Sequence, residues 1–302
     1  MKICFIGNMD SSHMVKWVDY FANVGGATFV CHVTGLWNGL QQLKRIKTLF
    51  PFDILHAHYA GLCGLIGALI NYHPFVVTVW GSDVLINIKS WIKRPFIKWI
   101  LKKADLITCD AEYVKEFMIS KLDVPGEKIK IIRHGVDVEK FKPDGWKCSE
   151  PMVISLRSYD METLKKTMKI VRRDFPTCYF REPSAYGYIR SEDVPKHLDS
   201  AWIYVDTSPI DAGLSMATAE AMACGLPVVI TDIGENKDWV DPYFCIPPGR
   251  PDILAGRIIE LLNDPVQRQA QGERNREQIV FWNDYHQEMA KMETLYEEIV
   301  ND

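Results

Sequence analysis

Short apolar segments alternate with amphipathic helical segments along almost the whole chain, and this alternation constrains the fold more than any other feature. Segments such as "KICFIG" and "FVVTVWGSD" are apolar on both faces, and a stretch with helical apolar spacing follows each of them. Strands that are buried on both faces belong to parallel sheets covered by helices on both sides. The sequence therefore predicts an α/β fold of the Rossmann-like type.

The alternation occurs as two series. The first series ends at "KIKIIRHG" and the second begins at "MVISLRS", and the segment between them, "HGVDVEKFKPDGWKCSE", is polar and contains Pro and Gly. A chain of 302 residues is long enough for about two domains of roughly 150 residues each. We therefore predict an N-terminal domain over residues 1–143 and a C-terminal domain over residues 144–282. The last helix, 283–302, is expected to pack back onto the first domain.

The composition is that of an ordinary globular protein, with 47% hydrophobic and 25% charged residues and a net charge of −4 that gives no indication of nucleic-acid binding. The eight Cys are irregularly spaced without a C-x-x-C pair, which predicts buried thiols in a reducing compartment and no structural zinc.

The N-terminus, "MKICFIGNM", is typical of a first strand rather than a signal peptide. The longest apolar run, "GLCGLIGALI", is too short for the ~20 residues that span a bilayer. We expect a cytoplasmic protein, with peripheral contact at the inner face of the membrane left open.

A single carboxylate, Glu220, stands among small residues in "GLSMATAEAMACGLPVVITD". The start of this predicted helix, at Gly213, Leu214 and Ser215, offers free backbone N–H groups and the positive end of the helix dipole, which suit a phosphate. Glu220 lies more than one turn further on, where a carboxylate can accept both hydroxyls of a ribose. The alternative is a Glu that faces solvent, but the helix is too apolar for a solvated surface element.

Several segments occur in one order: "DILHAHYAG", "TVWGSDVL", "ADLITCDAEYVKE", "HGVDVEKFKP", "VISLRSYD", "AWIYVDTS" and "EAMACGLPVV". Together they closely resemble the GT-B glycosyltransferases of family 4, the retaining nucleotide-sugar enzymes, over nearly the whole chain. The resemblance implies two Rossmann-like domains that face each other across a cleft. It also implies a nucleotide-sugar donor held by the C-terminal domain, an acceptor held by the N-terminal domain, and no required metal or other cofactor.

The resemblance also implies roles for residues on the donor side. Arg157, at the end of "VISLRS", matches the family's diphosphate-binding Arg, and a guanidinium binds phosphate oxygens bidentately. Asp211 stands beside Ala212, where the family carries an acid that contacts the donor sugar. Asp211 is therefore predicted either to take that role or to be a turn residue. Gly7 and Asn8, in the first loop, are expected to approach the diphosphate.

Candidate acceptor residues follow strands of the N-terminal domain. Trp80 stands where many family members have a His near the reacting sugar, and Asp83 is the nearest ionisable group. Asp83 either contacts the acceptor hydroxyl or caps the following segment. His13 and His58 are predicted to line the acceptor side, with a structural role as the alternative. His56 and His58 are two apart on one strand face, which is metal-ligand spacing, but no third ligand is evident and no metal site is predicted.

Residues 89–103, "KSWIKRPFIKWILKK", interleave basic and aromatic residues in a pattern that suits an anionic membrane surface. The alternative is an amphipathic helix whose aromatics face the core and whose lysines face water. Two observations favour that alternative: Pro95 is expected to break the helix, and the aromatic spacing fits a core stripe.

Two further departures from the family pattern affect the donor side. No Lys follows Arg157 until Lys165, inside the next helix, where a solvated helix face is the favoured interpretation over phosphate binding. The chain is also shortened between "TCYFRE" and "GYIRSEDVPKHL". We predict a retaining glycosyltransferase that moves a sugar from a UDP- or GDP-sugar to a saccharide or lipid-linked acceptor hydroxyl, in polysaccharide or glycolipid synthesis. The alternatives are a GT-B protein that binds or scaffolds without catalysis and a GT-B sugar-nucleotide epimerase.

Overall fold

The computed structural model describes residues 1–157, 159–182, 189–211 and 213–301, and for residues 12 and 13 it describes the backbone alone. The chain divides into two compact units, unit 1 comprising Met1–His134 with Gln287–Asp302, and unit 2 comprising Gly135–His286. The boundary falls after His134, the first residue of the polar segment between the two series. Val136 and Phe141, in that segment, are buried in the core of unit 2, which explains why the segment belongs to that unit.

Unit 1 contains a parallel sheet whose described strands run in the order β2-β1-β3-β4-β5-β6. The four inner strands of this order are buried along almost their whole length, as the apolar segments predicted, whereas the two outermost strands are mostly half-buried or exposed. Their bounds are β1 Lys2–Gly7, β2 Ala27–His32, β3 Ile54–His58, β4 Phe75–Thr78, β5 Leu106–Cys109 and β6 Ile129–Ile131. The helices between them are α1 Ser12–Asn23, α2 Leu36–Leu49, α3 Leu62–Ile70, α4 Ser82–Leu85, α5 Lys93–Lys103 and α6 Glu112–Leu122.

Unit 2 contains a second parallel sheet, whose described strands run in the order β11-β10-β9-β7-β8. The strand bounds are β7 Met152–Ile154, β8 Tyr179–Arg181, β9 Ile203–Asp206, β10 Val228–Thr231 and β11 Cys245–Ile246. The helices of unit 2 are α7 Met161–Asp174, α8 Val194–Ser200, α9 Met216–Ala223, α10 Asn236–Trp239, α11 Pro251–Asn263 and α12 Pro265–Trp282. Both units are therefore α/β and Rossmann-like, as predicted.

The last helix, α13 (Tyr285–Asn301), runs through the residues that return to unit 1. Tyr296 of this helix is fully buried, and its hydroxyl is hydrogen-bonded to Nδ1 of His56 in β3. The other ring nitrogen of His56 lies 2.7 Å from Oγ1 of Thr78 in β4. Burial and the neighbouring His58 hold the pKa of His56 well below its ordinary value, so a neutral imidazole joins α13 to the sheet.

Helix α5 differs from the expectation for residues 89–103. Pro95 lies in the first turn of α5, where a proline leaves no intrahelical hydrogen bond unmade, so it does not break the helix. The aromatic side chains do not form a core stripe, because Trp91 is 84% and Phe96 is 55% exposed. The buried side of α5 is instead made by Ile97, Ile100 and Leu101. In the described part of the chain, no helix is both long and apolar enough to cross a bilayer.

Candidate functional site

Arg157 follows β7 at the carboxyl end of the unit 2 sheet, and two carboxylates hold its guanidinium. Nη1 donates to Asp211 Oδ2 at 2.5 Å and Nη2 to Asp211 Oδ1 at 3.1 Å, which makes a bidentate pair. Nη1 also donates to Asp206 Oδ2 at 3.0 Å. The ring of Tyr159 covers one face of the guanidinium, with Cζ 4.6 Å from the ring centroid. Arg157, which was predicted to bind the diphosphate, is thus a fixed and partly buried cation.

Asp206 is the residue of this cluster that the sequence interpretation missed. It is the last residue of β9, which pairs with β7, and it is 4% exposed. Besides Arg157, it accepts hydrogen bonds from the Ser208 backbone N–H at 2.9 Å, from Ser215 Oγ at 3.2 Å and from Thr218 Oγ1 at 3.3 Å. A signal existed: Asp206 ends the apolar strand "WIYVD" beside the strand that precedes Arg157. Carboxylates at such strand ends seldom stay buried without a cationic partner.

The two carboxylates and one guanidinium leave a formal charge of −1 in the cluster. Burial lowers the pKa of Arg157, but its hydrogen bond to Asp211 and the charges of Asp206 and Asp211 outweigh burial, so the pKa lies above its ordinary value. Burial raises the pKa of Asp211, and the charge of Asp206 adds to that effect against the opposing pull of Arg157. Arg157 is therefore held firmly in its charged form, whereas its charge only partly offsets the cost of burying the Asp211 carboxylate.

Helix α9 begins beside this cluster with a cap made by Ser215. The Ser215 hydroxyl oxygen accepts from the Thr218 backbone N–H at 3.2 Å, and the same hydroxyl donates to Asp206. Gly213 is buried just before the cap, and Leu214 packs against the core of unit 2. The side chain of Ser215 is therefore used within the protein, and phosphate binding here would fall to backbone N–H groups that the cap leaves available.

Glu220 occupies a half-buried position on α9, between Ala219 and Ala221, which are both fully buried. Its backbone carbonyl accepts from the Cys224 N–H at the end of the helix. Its side chain therefore lies on the part of α9 that remains accessible, next to small residues, which is where a ribose clamp would need it. On α7, Lys165 and Lys166 are both exposed, and Lys166 pairs with Glu162 at 2.6 Å.

In unit 1, Gly7 ends β1 against Met14 of α1. A Cβ at Gly7 would lie 2.7 Å from Met14 Sδ, so the glycine permits this close helix–strand approach. Asn8 is exposed, and its side-chain oxygen accepts from the Asp10 N–H at 2.9 Å. The prediction for His13 falls on a side chain outside those that the structure describes.

Trp80 and His58 lie together at the carboxyl end of the unit 1 sheet, with ring centroids 5.8 Å apart. Trp80 is half-buried, whereas His58 is 3% exposed and its ring lies edge-on to Trp17 at 4.9 Å. The structure thus gives His58 the surroundings of a core residue and leaves Trp80 accessible.

Asp83 is fully buried and joins two loops of unit 1. Oδ2 accepts from the Ala60 N–H at 2.8 Å, and Oδ1 accepts from the Trp80 N–H at 3.0 Å. Burial raises the pKa of Asp83 to about 6, although these backbone hydrogen bonds act in the opposite direction. Both carboxylate oxygens are engaged by the backbone, so the geometry favours a role in placing Trp80 over direct contact with an acceptor.

Two ionisable residues that were not predicted lie at the same sheet edge. His134 Nε2 is 3.3 Å from Asp110 Oδ2, and each side chain is 16% exposed. The His134 ring also lies 5.4 Å from the Trp80 ring. Asp110 directly follows β5 and His134 is the third residue after β6, and these positions near strand ends were the available signal.

Metal binding finds no support in the ligand geometry of the residues described. Among them, no group of three or more His, Cys, Asp or Glu side chains is placed to hold an ion. Both nitrogens of His56 are already used by Tyr296 and Thr78. A cavity of about 780 Å³ lies elsewhere in unit 2, lined by residues within 140–146 and 192–199, and it includes none of the predicted site residues.

Comparison with known proteins agrees with this fold. Residues 24–140 match the sequence model of Glycosyltransferase Family 4, and residues 184–278 match that of Glycosyl transferases group 1. The chain therefore belongs to the GT-B glycosyltransferases of the family 4 type. An uncharacterized glycosyltransferase of Methanocaldococcus jannaschii is 26% identical over 268 residues, which cover 81% of this chain and 75% of that protein.

Solved structures share the whole fold at low sequence identity. Sucrose-phosphate synthase from Thermosynechococcus elongatus superposes with a TM-score of 0.81 at 16% identity, covering 99% of this chain and 98% of that one. HepE from Anabaena, solved in complex with UDP, superposes with a TM-score of 0.75 at 16% identity, covering 98% of this chain and 99% of that one. The fold class is thus GT-B with two Rossmann-like domains, as predicted.

Proposed function

We propose that the chain is a retaining glycosyltransferase that takes a UDP- or GDP-sugar on unit 2 and transfers the sugar to a saccharide or lipid-linked acceptor hydroxyl. The observation that carries the proposal is the hydrogen-bonded cluster of Arg157, Asp206 and Ser215, which joins the carboxyl end of the unit 2 sheet to the start of α9, with Glu220 further along the same helix. Such sheet edges are where open α/β folds bind ligands. HepE, which shares the fold, has been solved with UDP and with UDP-glucose.

Each donor residue would act on a different part of the donor. Arg157 would hold diphosphate oxygens with its planar fork, and Glu220 would accept the two ribose hydroxyls. Backbone N–H groups at the start of α9 would add their dipoles. Charge would develop on the leaving phosphate, where these groups stabilise it without a cation. The leaving phosphate itself would take the acceptor proton, as expected for retaining enzymes of this type, so no separate base is invoked.

The acceptor would bind to unit 1 beside Trp80. An indole ring that is half-buried, with Asp83 fixing its backbone, offers a flat surface against which a sugar ring can pack. We place the reaction in the cytoplasm, because free thiols such as those of Cys4 and Cys109 are typical of a reducing compartment. The product would be part of a polysaccharide or a glycolipid.

One observation favours a binding or scaffold protein without catalysis as a second candidate. Arg157 shares its charge with two carboxylates, and Lys165 and Lys166 are exposed on α7. A diphosphate would therefore meet less positive charge than its departure needs. Both candidates would bind a nucleotide-sugar, so the measurement that distinguishes the enzyme from the binding protein is turnover of the donor.

The test is hydrolysis of UDP- and GDP-sugars, followed by proton NMR of the released sugar. We expect slow hydrolysis of one nucleotide-sugar, with the donor's anomeric configuration in the first-formed product. Glu220→Ala should abolish hydrolysis, whereas Glu273→Ala, at an exposed helix position of unit 2, should leave it unchanged. Nucleotide binding without turnover would indicate the scaffold protein. Interconversion of free nucleotide-sugars would indicate the epimerase, and an inverted product would contradict the retaining mechanism.

We also propose that unit 1 contacts an anionic membrane surface through its basic–aromatic surface. This surface comprises the exposed apolar residues Trp91, Ile92, Phe96 and Trp99 and the basic residues Lys89, Lys93, Arg94, Lys98, Lys102 and Lys103. Exposed aromatics can enter the headgroup region, while Lys and Arg attract anionic lipids. A lipid-linked acceptor would be reached at that surface.

A further inference from the structure

The guanidinium that is proposed to hold the donor diphosphate already carries an anion. Asp211 occupies both terminal nitrogens of Arg157, with Nη1–Oδ2 at 2.5 Å and Nη2–Oδ1 at 3.1 Å. This fork-to-fork arrangement is the one in which Arg also binds two oxygens of a phosphate. The face of the fork made by Nη1 and Nη2 can hold one bidentate anion at a time, so a diphosphate that binds this face competes with Asp211.

The two carboxylates of the cluster differ in how firmly the protein holds them. The Asp206 side chain is 5% exposed, ends a buried strand and accepts three further hydrogen bonds, from Ser208, Ser215 and Thr218. It also takes only one nitrogen of Arg157, at 3.0 Å. Asp206 is therefore the fixed partner, and it keeps the guanidinium in place while leaving the rest of the fork open to another anion.

Asp211 has the features of an exchangeable partner. Its side chain is 20% exposed, four times the exposure of the Asp206 side chain at 5%. It lies between β9 and α9, outside helix and strand, two residues before Gly213. The hydrogen bonds described for its carboxylate are the two from Arg157, and the nearby Ser208 hydroxyl donates to the Ile210 carbonyl instead. A residue held in this way can leave the guanidinium without disturbing the sheet.

We propose that Asp211 is a resident counter-ion of Arg157 that the donor diphosphate displaces, and that Asp206 is a positioning residue that keeps the guanidinium aimed during the exchange. The proposal rests on the proposed donor site. With Asp211 in place, the cluster has a formal charge of −1 and repels anions, whereas with Asp211 displaced, Arg157 and Asp206 are neutral together. Asp211 thereby lowers the affinity of the site for any anion, and only a ligand with additional contacts can displace it.

The exchange makes Asp211 a determinant of specificity. A nucleoside diphosphate brings ribose contacts at Glu220 as well as phosphate oxygens, so it can compensate for the loss of the Arg157–Asp211 pair. Inorganic pyrophosphate offers the same oxygens without the ribose, so the wild-type protein should bind it weakly. Removing the charge of residue 211 should therefore raise the affinity for pyrophosphate as well as for UDP.

The test is calorimetric titration of UDP, GDP and pyrophosphate into the wild-type chain and Asp211→Asn. We expect the variant to bind the favoured nucleotide roughly ten-fold more tightly, as fits the loss of one competing charge-assisted pair, and to gain measurable pyrophosphate binding. The gain should vanish in the Arg157→Gln background, because the competition is for that side chain. Asp252→Asn is the matched control, since Asp252 also pairs bidentately with an arginine, Arg250, but at an exposed site. Its affinity should equal that of the wild type.

Unchanged or weaker nucleotide binding in Asp211→Asn, with the fold intact by circular dichroism, would overturn the exchange and leave the donor site standing. The same gain in Asp252→Asn would reduce the effect to net charge and would also overturn it. If no variant and no wild-type sample binds UDP, GDP or pyrophosphate, both the exchange and the proposed donor site are wrong.

Discussion

At the scale of single residues, two buried carboxylates, Asp206 at the end of β9 and Asp83 in α4, have different uses. Asp206 balances a cation, Arg157, whereas Asp83 accepts from two backbone N–H groups and faces no cation in the hydrogen bonds described. A carboxylate without a cation is costly to bury in its charged form. The stability of unit 1 should therefore depend on the protonation of Asp83.

Asp83→Asn tests this dependence. The pKa of Asp83 is raised from its ordinary value of 3.8 to about 6 in the folded chain, so the folded state binds the proton more tightly than the unfolded state. Its contribution to stability is complete below pH ~4 and is lost as the pH rises through about 6, by roughly 3 kcal/mol at most. Urea unfolding between pH 4.5 and 7 should show this fall in the wild type but not in the variant. Parallel curves for the two proteins would contradict the assignment.

At the scale of elements, α13 shows how a helix distant in sequence packs against the core of unit 1. Its Tyr296 ring packs 5.1 Å from the Phe21 ring of α1, and its hydroxyl pairs with His56 of β3. Both partners are fully buried. The helix thus provides a hydrogen bond that the core of unit 1 cannot replace with water.

Tyr296→Phe removes this hydroxyl and little else. We expect a loss of about 1–3 kcal/mol in the free energy of unfolding, because a buried ring nitrogen of His56 loses its partner. Tyr243→Phe is the control: Tyr243 is 48% exposed and its hydroxyl pairs with Glu260, so its loss should stay within about 0.5 kcal/mol. Equal losses, measured by denaturant unfolding, would show that the buried pair contributes nothing special.

At the scale of the whole molecule, the residues proposed for donor binding and those proposed for membrane contact lie in different units. Unit 2 contains Arg157, Asp206, Asp211 and Glu220, while unit 1 contains Trp80 and the basic–aromatic surface. Donor chemistry and surface attachment should therefore respond to different substitutions. A variant that loses one of these properties should keep the other.

Vesicle sedimentation tests the attachment. The wild-type chain should bind vesicles rich in phosphatidylglycerol, release from them in high salt, and ignore pure phosphatidylcholine. Replacing Trp91 and Phe96 together by Ala should weaken binding about ten-fold or more, because two exposed aromatic anchors are lost. Trp146→Ala, at an exposed position of unit 2 (57% exposed), should have no effect. Equal binding by all variants would contradict the proposed surface.

What the sequence could predict follows from the range of the interactions involved. The strands and helices were accessible because apolar spacing is local, and so was the family, because its motifs are contiguous. The partners of Asp83 and Arg157 were not, since Ala60 is 23 residues and Asp211 is 54 residues away in sequence. The exposure of Phe96 was also missed, because the helical spacing of aromatics does not specify which face of α5 packs against the rest of unit 1, and Trp91 lies in a turn before that helix.

Hydrogen exchange with and without UDP, read by mass spectrometry, tests the placement of the donor site most directly. Exchange reports local opening peptide by peptide, so it shows where a ligand binds. We expect the strongest protection in peptides covering 153–157 and 213–224 of unit 2, and the protection should disappear in Glu220→Ala. Protection centred on the cavity within 140–146 and 192–199, or no protection at saturating UDP and GDP, would contradict a donor site built on Arg157 and Glu220.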